Sequence, residues 1–210
     1  MKLNILFENK DEIIRQIDAW IAKQNQVSDN PLDDMDDEFG EDELIDLIQE
    51  LDSRYPPLEP YIKQDAYYAY LYARDVIGGR WPEAEDVIKQ NTKCAYYYAR
   101  DIIKGRWPEG EDAIKQDAKW AYYYARDVIK GRWPEAEEAI KNNSKYVYFY
   151  ANYVINGRWP EAEEAIKNNP MHAYYYANDV IKGRWPEGEE AIKKDAEYWN
   201  RYKESFRYLI

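Results

Sequence analysis

The sequence predicts an all-α protein, an α-solenoid of helix-hairpin repeats with a 26-residue period and an acidic N-terminal helical cap. Three observations carry that prediction. The phrase Gly-Arg-Trp-Pro-Glu-(Ala/Gly)-Glu recurs five times, with its tryptophans at Trp81, Trp107, Trp133, Trp159 and Trp185. A fixed spacing in this range marks units that bury their apolar faces only against their neighbours. Asp65, Asn91, Asp117, Asn143, Asn169 and Asp195 recur at the same step, and their side chains accept hydrogen bonds from the free N–H groups of a helix's first turn. Behind each cap the apolar residues keep helical spacing, as Ala69, Tyr72, Ala73, Val76 and Ile77 do in the first copy.

In chain order, residues 1–27 form a docking segment and a helix. Met1–Phe7 is too short an apolar run for a signal peptide or a membrane span and is expected to dock on the core. A helix from about Lys10 to Gln24 follows, capped by Asn9, with Ile13, Ile14, Ile17, Trp20 and Ile21 on one face. Residues 28–43 read as an exposed, mobile linker dense in acids: Asp33, Asp34, Asp36, Asp37, Glu38, Glu41, Asp42 and Glu43. A calcium loop counted from Asp34 fails, because Phe39 stands where glycine is needed and Ile45 where glutamate is needed.

Residues 44–64 are a degenerate capping repeat. Arg54-Tyr55-Pro56 lies one period before Arg80-Trp81-Pro82, Leu44, Leu47, Ile48 and Leu51 supply its first helix, and Pro57 and Pro60 weaken its second. Five helical hairpins fill 65–194. In each, the long helix is expected to stop on a left-handed glycine (Gly79, Gly105, Gly131, Gly157, Gly183). Pro82 and its equivalents then open a shorter helix, with Glu83 and Glu85 near its positive end and Ile88, Ile114, Ile140, Ile166 or Ile192 anchoring its far end. Trp81 and Tyr72 are expected to fill the space between layers. Asp195 opens a C-terminal capping helix, 195–210, through Trp199, Tyr202 and Phe206.

Charge is unevenly placed. Residues 1–60 hold 17 Asp and Glu against 5 Lys and Arg, whereas 61–210 hold 24 of each, so the net charge of −12 resides in the first segment. The inventory for catalysis is nearly empty, with one histidine, His172, and one cysteine, Cys94, at the same half-exposed helix position three periods apart. At about 10 Å per layer they stand roughly 30 Å apart, which rules out a Cys-His pair or a shared zinc site. No metal and no cofactor are expected, nor an internal disulfide, and a reducing cytoplasm suits one cysteine. The paired glutamates recur five times where a catalytic pair is needed once, and Arg80, Arg106, Arg132, Arg158 and Arg184 read as a structural ladder of ion pairs.

The candidate partner-binding residues lie on the other face of the long helix. Tyr70, Tyr96, Tyr122, Tyr148 and Tyr174 stand one turn from Arg74, Arg100, Arg126, Asn152 and Asn178, with Tyr97 and Tyr123 beside them. Interfaces are enriched in aromatic and arginine side chains. The alternative is that these tyrosines pack between layers with the hydroxyl at the rim.

The string AYYYARDVIKGRWPEAEEAIK resembles short helical repeats in proteins of tailed bacteriophages and some bacteria, over about Arg54–Lys194. That resemblance implies a phage or prophage accessory protein in a bacterial cytoplasm and carries over no site residues. The leading expectation is a non-enzymatic solenoid that binds and inhibits a host defence or replication protein. The alternative is a nucleic-acid mimic acting through the acidic segment, although a mimic should spread its acids along the rod. Direct nucleic-acid binding lacks a basic footprint, no membrane contact is expected, and a small anion held by Arg74, Arg100 and Arg126 ranks third.

Overall fold

The structure, a computed structural model, describes residues 2–24, 43–51 and 53–207, and all regular structure among them is helical. Residues 28–42 of the acidic linker and residues 208–210 lie outside the described residues. The chain divides into two compact units, 1–103 and 104–210.

The first unit begins with one uninterrupted helix, Lys2–Gln24. The expected start at Lys10 with an Asn9 cap is thus corrected: no glycine or proline interrupts this stretch, and the helix runs through Asn9. Ile13, Ile17 and Trp20 are buried. Trp20 meets Tyr61 edge to face at 5.8 Å, and Tyr55 donates to Asp18 over 2.7 Å. The degenerate repeat follows as helices Glu43–Glu50 and Glu59–Ile62, with Leu44, Ile48, Leu51 and Ile62 buried.

The five copies repeat one construction. All six predicted caps accept from the first turn, as Asp65 does from the N–H groups of Tyr67 and Tyr68. The long helix then widens to a π turn over its last residues, Ala73–Ile77 in the first copy and Ala125–Ile129 in the third. A π turn takes in an extra residue and rotates the residues after it by about 100°. Val76 and Ile77 are therefore half-buried rather than central.

The wide turn also corrects the helix stop. The left-handed residue is Gly78, Lys104, Lys130, Asn156 or Lys182, with φ between 57° and 67°, one place before the expected glycine. In the first copy the Ala73 carbonyl accepts from both Gly78 and Gly79, so the chain must reverse at residue 78. A Cβ at Gly79, Gly105, Gly131 or Gly157 would meet open space, and nothing in the structure explains glycine there.

The short helices divide by one residue. Where the phrase reads Pro-Glu-Ala the first turn is 3₁₀, as at Pro82–Ala84, and where it reads Pro-Glu-Gly the segment is α-helical throughout, as at Pro108–Ile114. A Cβ built on Gly110 would stand well inside van der Waals contact of the Trp107 ring. The methyl group therefore forces the tighter turn.

Within each unit, neighbouring long helices pack side by side, and in the second unit each short helix between them touches both. The five repeat tryptophans, six tyrosines from Tyr72 to Tyr202 in steps of 26, and the five isoleucines from Ile88 to Ile192 are all buried to 1% exposure or less. A buried tryptophan removes on the order of 200 Å² from water, an upper bound of roughly 5 kcal/mol before entropic costs. The closing helix, Ala196–Ser205, has no π turn and stops short of the expected Ile210. Among the described residues no helix is long and apolar enough to cross a membrane.

Candidate functional site

Two hydrogen-bonded ladders run along the copies, and they have different jobs. The first is internal. Arg132 holds both oxygens of Glu137 at 2.9 and 2.8 Å. Tyr150, from the next copy, donates to the same carboxylate at 3.2 Å and accepts from the backbone N–H of Trp133 at 2.6 Å. The set recurs at Arg80, Arg106, Arg158 and Arg184. It is present in the degenerate repeat too, where Arg54 holds Glu59 and the Tyr55 N–H donates to Tyr72 at 2.7 Å. The arginine ladder is therefore structural, as expected. Its guanidinium contact holds the Glu85 carboxyl below the usual range against the opposing effect of burial, with Tyr98 helping. The hydroxyl's part was missed, although six tyrosines and no phenylalanine at that step were the signal.

The second ladder is the candidate surface. Tyr70, Tyr96, Tyr122 and Tyr148 are buried, between 2% and 8% exposed, which agrees with the alternative that they pack between layers and corrects the reading of them as an exposed face. A long helix in such a stack is flanked on two sides by its neighbours, so one stripe undercounts its buried face. Tyr97, Tyr123 and Tyr174 are half-buried, and Arg74, Arg100 and Arg126 are exposed. The hydroxyl of Tyr70 reaches Asp101 at 2.9 Å, and burial pushes it up to about 12.

The three arginines are already engaged. Arg100 grips Asp101 through two bonds of 2.6 and 2.9 Å, donates to the Tyr96 hydroxyl at 3.2 Å, and lies 4.6 Å from the Tyr97 ring centre. Arg126 repeats this on Asp127, Tyr122 and Tyr123, and Arg74 pairs with Asp75 and Tyr70 in the same way. Each guanidinium is matched by its own carboxylate, so an anion held by these three would have to displace it.

Copies four and five depart from this pattern. Asn152 and Asn178 replace the arginines, and Tyr153 replaces the aspartate. Phe149, Tyr175 and Tyr174 then carry no guanidinium from that position, and Tyr153, 54% exposed, is the large aromatic most open to solvent among the described residues. The rings form a row: Tyr122 to Phe149 at 5.6 Å, Phe149 to Tyr148 at 5.4 Å, Tyr148 to Tyr175 at 6.0 Å, and Tyr175 to Tyr198 at 6.2 Å. A groove of about 410 Å³ opens there, lined by Lys145, Phe149, Met171, His172, Tyr175 and Asp179 among others. The equivalent groove in the first unit, where Arg74 and Arg100 stand, measures about 270 Å³.

Cys94 lies in the first unit and His172 in the second. The half-exposed placing of their shared position holds for His172 but not for Cys94, which is 3% exposed with its thiol pushed up to about 12 by burial. The His172 Nδ1 sits 2.8 Å from the Ser144 hydroxyl, a pairing that sequence spacing did not bring out. Burial, followed by Lys145, lowers the imidazole's affinity for a proton. Among the described residues no group of three His, Cys, Asp or Glu side chains is placed to hold a metal. The acidic candidates 33–42 lie outside the described residues, and Glu43 opens the helix Glu43–Glu50. No protein-family model matches this chain, nor does any curated protein or solved structure.

Proposed function

We propose that this chain is a non-enzymatic protein-binding module of tandem helical hairpins, and that its contact surface is the long-helix face of copies four and five. The observation that carries the reading is the aromatic row around the exposed Tyr153 in copies four and five, where no arginine stands at the Arg74 position, whereas the arginines of the earlier copies are paired internally. Desolvated aromatic anchors supply most interface energy, and self-paired charges contribute less. The setting implied by the repeat resemblance, a phage or bacterial accessory protein that inhibits a host protein in the cytoplasm, belongs to the same proposal.

The test places the photo-crosslinker p-benzoylphenylalanine at position 153, at position 100 or at position 36 and irradiates each protein in bacterial lysate. A discrete adduct from position 153 alone supports this surface. Adducts from position 100 would return the contact to the arginine-bearing copies. A set of nucleic-acid-binding proteins captured from position 36 would favour the acidic mimic instead.

A further inference from the structure

The five copies act as controls for one another, and the comparison isolates a vacated binding position. In copy two a guanidinium sits in a cradle of four groups: the Asp101 carboxylate, the Tyr96 hydroxyl, the Tyr97 ring face and, on the same carboxylate, the Tyr70 hydroxyl of the copy before. Copy five keeps all four as Asp179, Tyr174, Tyr175 and Tyr148, and lacks only the arginine. The two rings hold their arrangement without it. Tyr174 and Tyr175 lie 5.2 Å apart at 59°, against 5.0 Å and 56° for Tyr96 and Tyr97.

The carboxylate is also in place. Tyr148 donates to one oxygen of Asp179 at 2.5 Å and Asn178 to the other at 2.7 Å. Both donors are neutral, and among the described residues no lysine or arginine pairs with Asp179, unlike Asp101 and Asp127. The space that two arginines narrow in the first unit is open beside it, in the groove of about 410 Å³. Lys145 stands at the Phe149 end of that groove, 5.8 Å from the ring centre, so the end that favours a cation is the one at Asp179.

We propose that this position takes a guanidinium from outside the chain, the side chain of an arginine on a partner protein, seated on Asp179 against Tyr175 as Arg100 is seated on Asp101 against Tyr97. A planar fork matches a carboxylate through two hydrogen bonds and stacks on an aromatic face, which an ammonium does less well. The proposal deepens the protein-binding reading and rests on it for the origin of the arginine.

The site itself is testable without any partner. Protein labelled with ¹³C at the methionine methyl groups is titrated with Nα-acetyl-arginine methylamide while the resonance of Met171, which lines the groove, is followed. The citrulline analogue, equal in shape and uncharged, is the control. The expected result is a saturable shift with arginine, at least about tenfold weaker with citrulline, and absent in Asn178→Arg, where an internal guanidinium fills the cradle. Asp179→Asn, which keeps the shape and removes the charge, should also lose it. Equal titration by the two probes, no shift with arginine, or wild-type binding by Asn178→Arg would overturn the proposal. Crosslinking from position 153 fails or succeeds independently of this result, so the two readings can fall separately.

Discussion

Tyr150 serves two groups that phenylalanine would abandon. Its hydroxyl is the acceptor for the buried backbone N–H of Trp133 and a donor to Glu137. Leaving a buried donor unpaired costs about 1–3 kcal/mol, and Tyr150→Phe is expected to lose that much in urea unfolding at neutral pH. A loss under about 0.5 kcal/mol, the range of an ordinary surface substitution, would show that the hydroxyl is dispensable. A second residue-scale expectation concerns Lys130, held at φ 60° where the first copy has Gly78. Lys130→Gly should gain about 0.5–1 kcal/mol by removing the cost of a left-handed side chain, and a net loss would contradict it. The caps and the buried tryptophans were legible residue by residue, because each depends on its own chemistry. The Arg74–Asp75 grip was not, since adjacent residues on an ordinary α-helix point about 100° apart; here both lie in the π turn. The buried indole N–H of Trp81, Trp133, Trp159 and Trp185 has no acceptor among the described residues, and nothing in the structure accounts for it.

At the scale of the element, the short helix is a switch between two backbones set by one methyl group. Gly110→Ala drives a Cβ into the Trp107 ring unless the first turn tightens to the 3₁₀ form of Pro134–Ala136. Because sister copies adopt that form with the same tryptophan, the substitution is expected to change stability by less than about 1 kcal/mol while converting the turn. A crystal structure of the variant would show 3₁₀ geometry at 108–110; an α-helical turn with a displaced Trp107 would contradict the account. The hairpins themselves were legible from period, cap and proline. The π turn was not, because it creates no change in composition and sits at the end of a helix that reads as continuous. The same turn displaced the expected stop by one residue and moved Val76 and Ile77 out of the central stripe.

For the molecule as a whole, the internal ladder fixes a pH window. Glu85, Glu111, Glu163 and Glu189 titrate below the usual 4.5 in the fold, held there by their arginines and tyrosines against burial. A lowered carboxyl stabilises fully above that value, and the contribution disappears as pH falls through the folded pKa. Tyr98, Tyr124, Tyr150 and Tyr176 are raised above 10.0 by burial, so their contribution is complete below pH 10.0 and is lost as pH rises. Burial also lowers His172 from 6.5, adding a loss below that value, and raises Cys94 from 9.0 to about 12, adding a loss above 9.0. Stability should therefore be nearly flat only from about pH 7 to 8.5 and fall on both sides, with the limb below about pH 5 shallower in Glu163→Gln. A wild-type curve that declines steadily between pH 7 and 8 would refute this. The bond from the backbone N–H of tryptophan, or of Tyr55 in the degenerate repeat, to a tyrosine hydroxyl always joins one copy to the copy after it, at every step from Tyr55–Tyr72 to Trp185–Tyr202. An in-frame duplication or deletion of 26 residues therefore adds or removes one complete set of these bonds and breaks none of the others. Recombination between copies can change the number of repeats without redesigning the core, and each copy is free to vary its outer face, as the fourth and fifth have done.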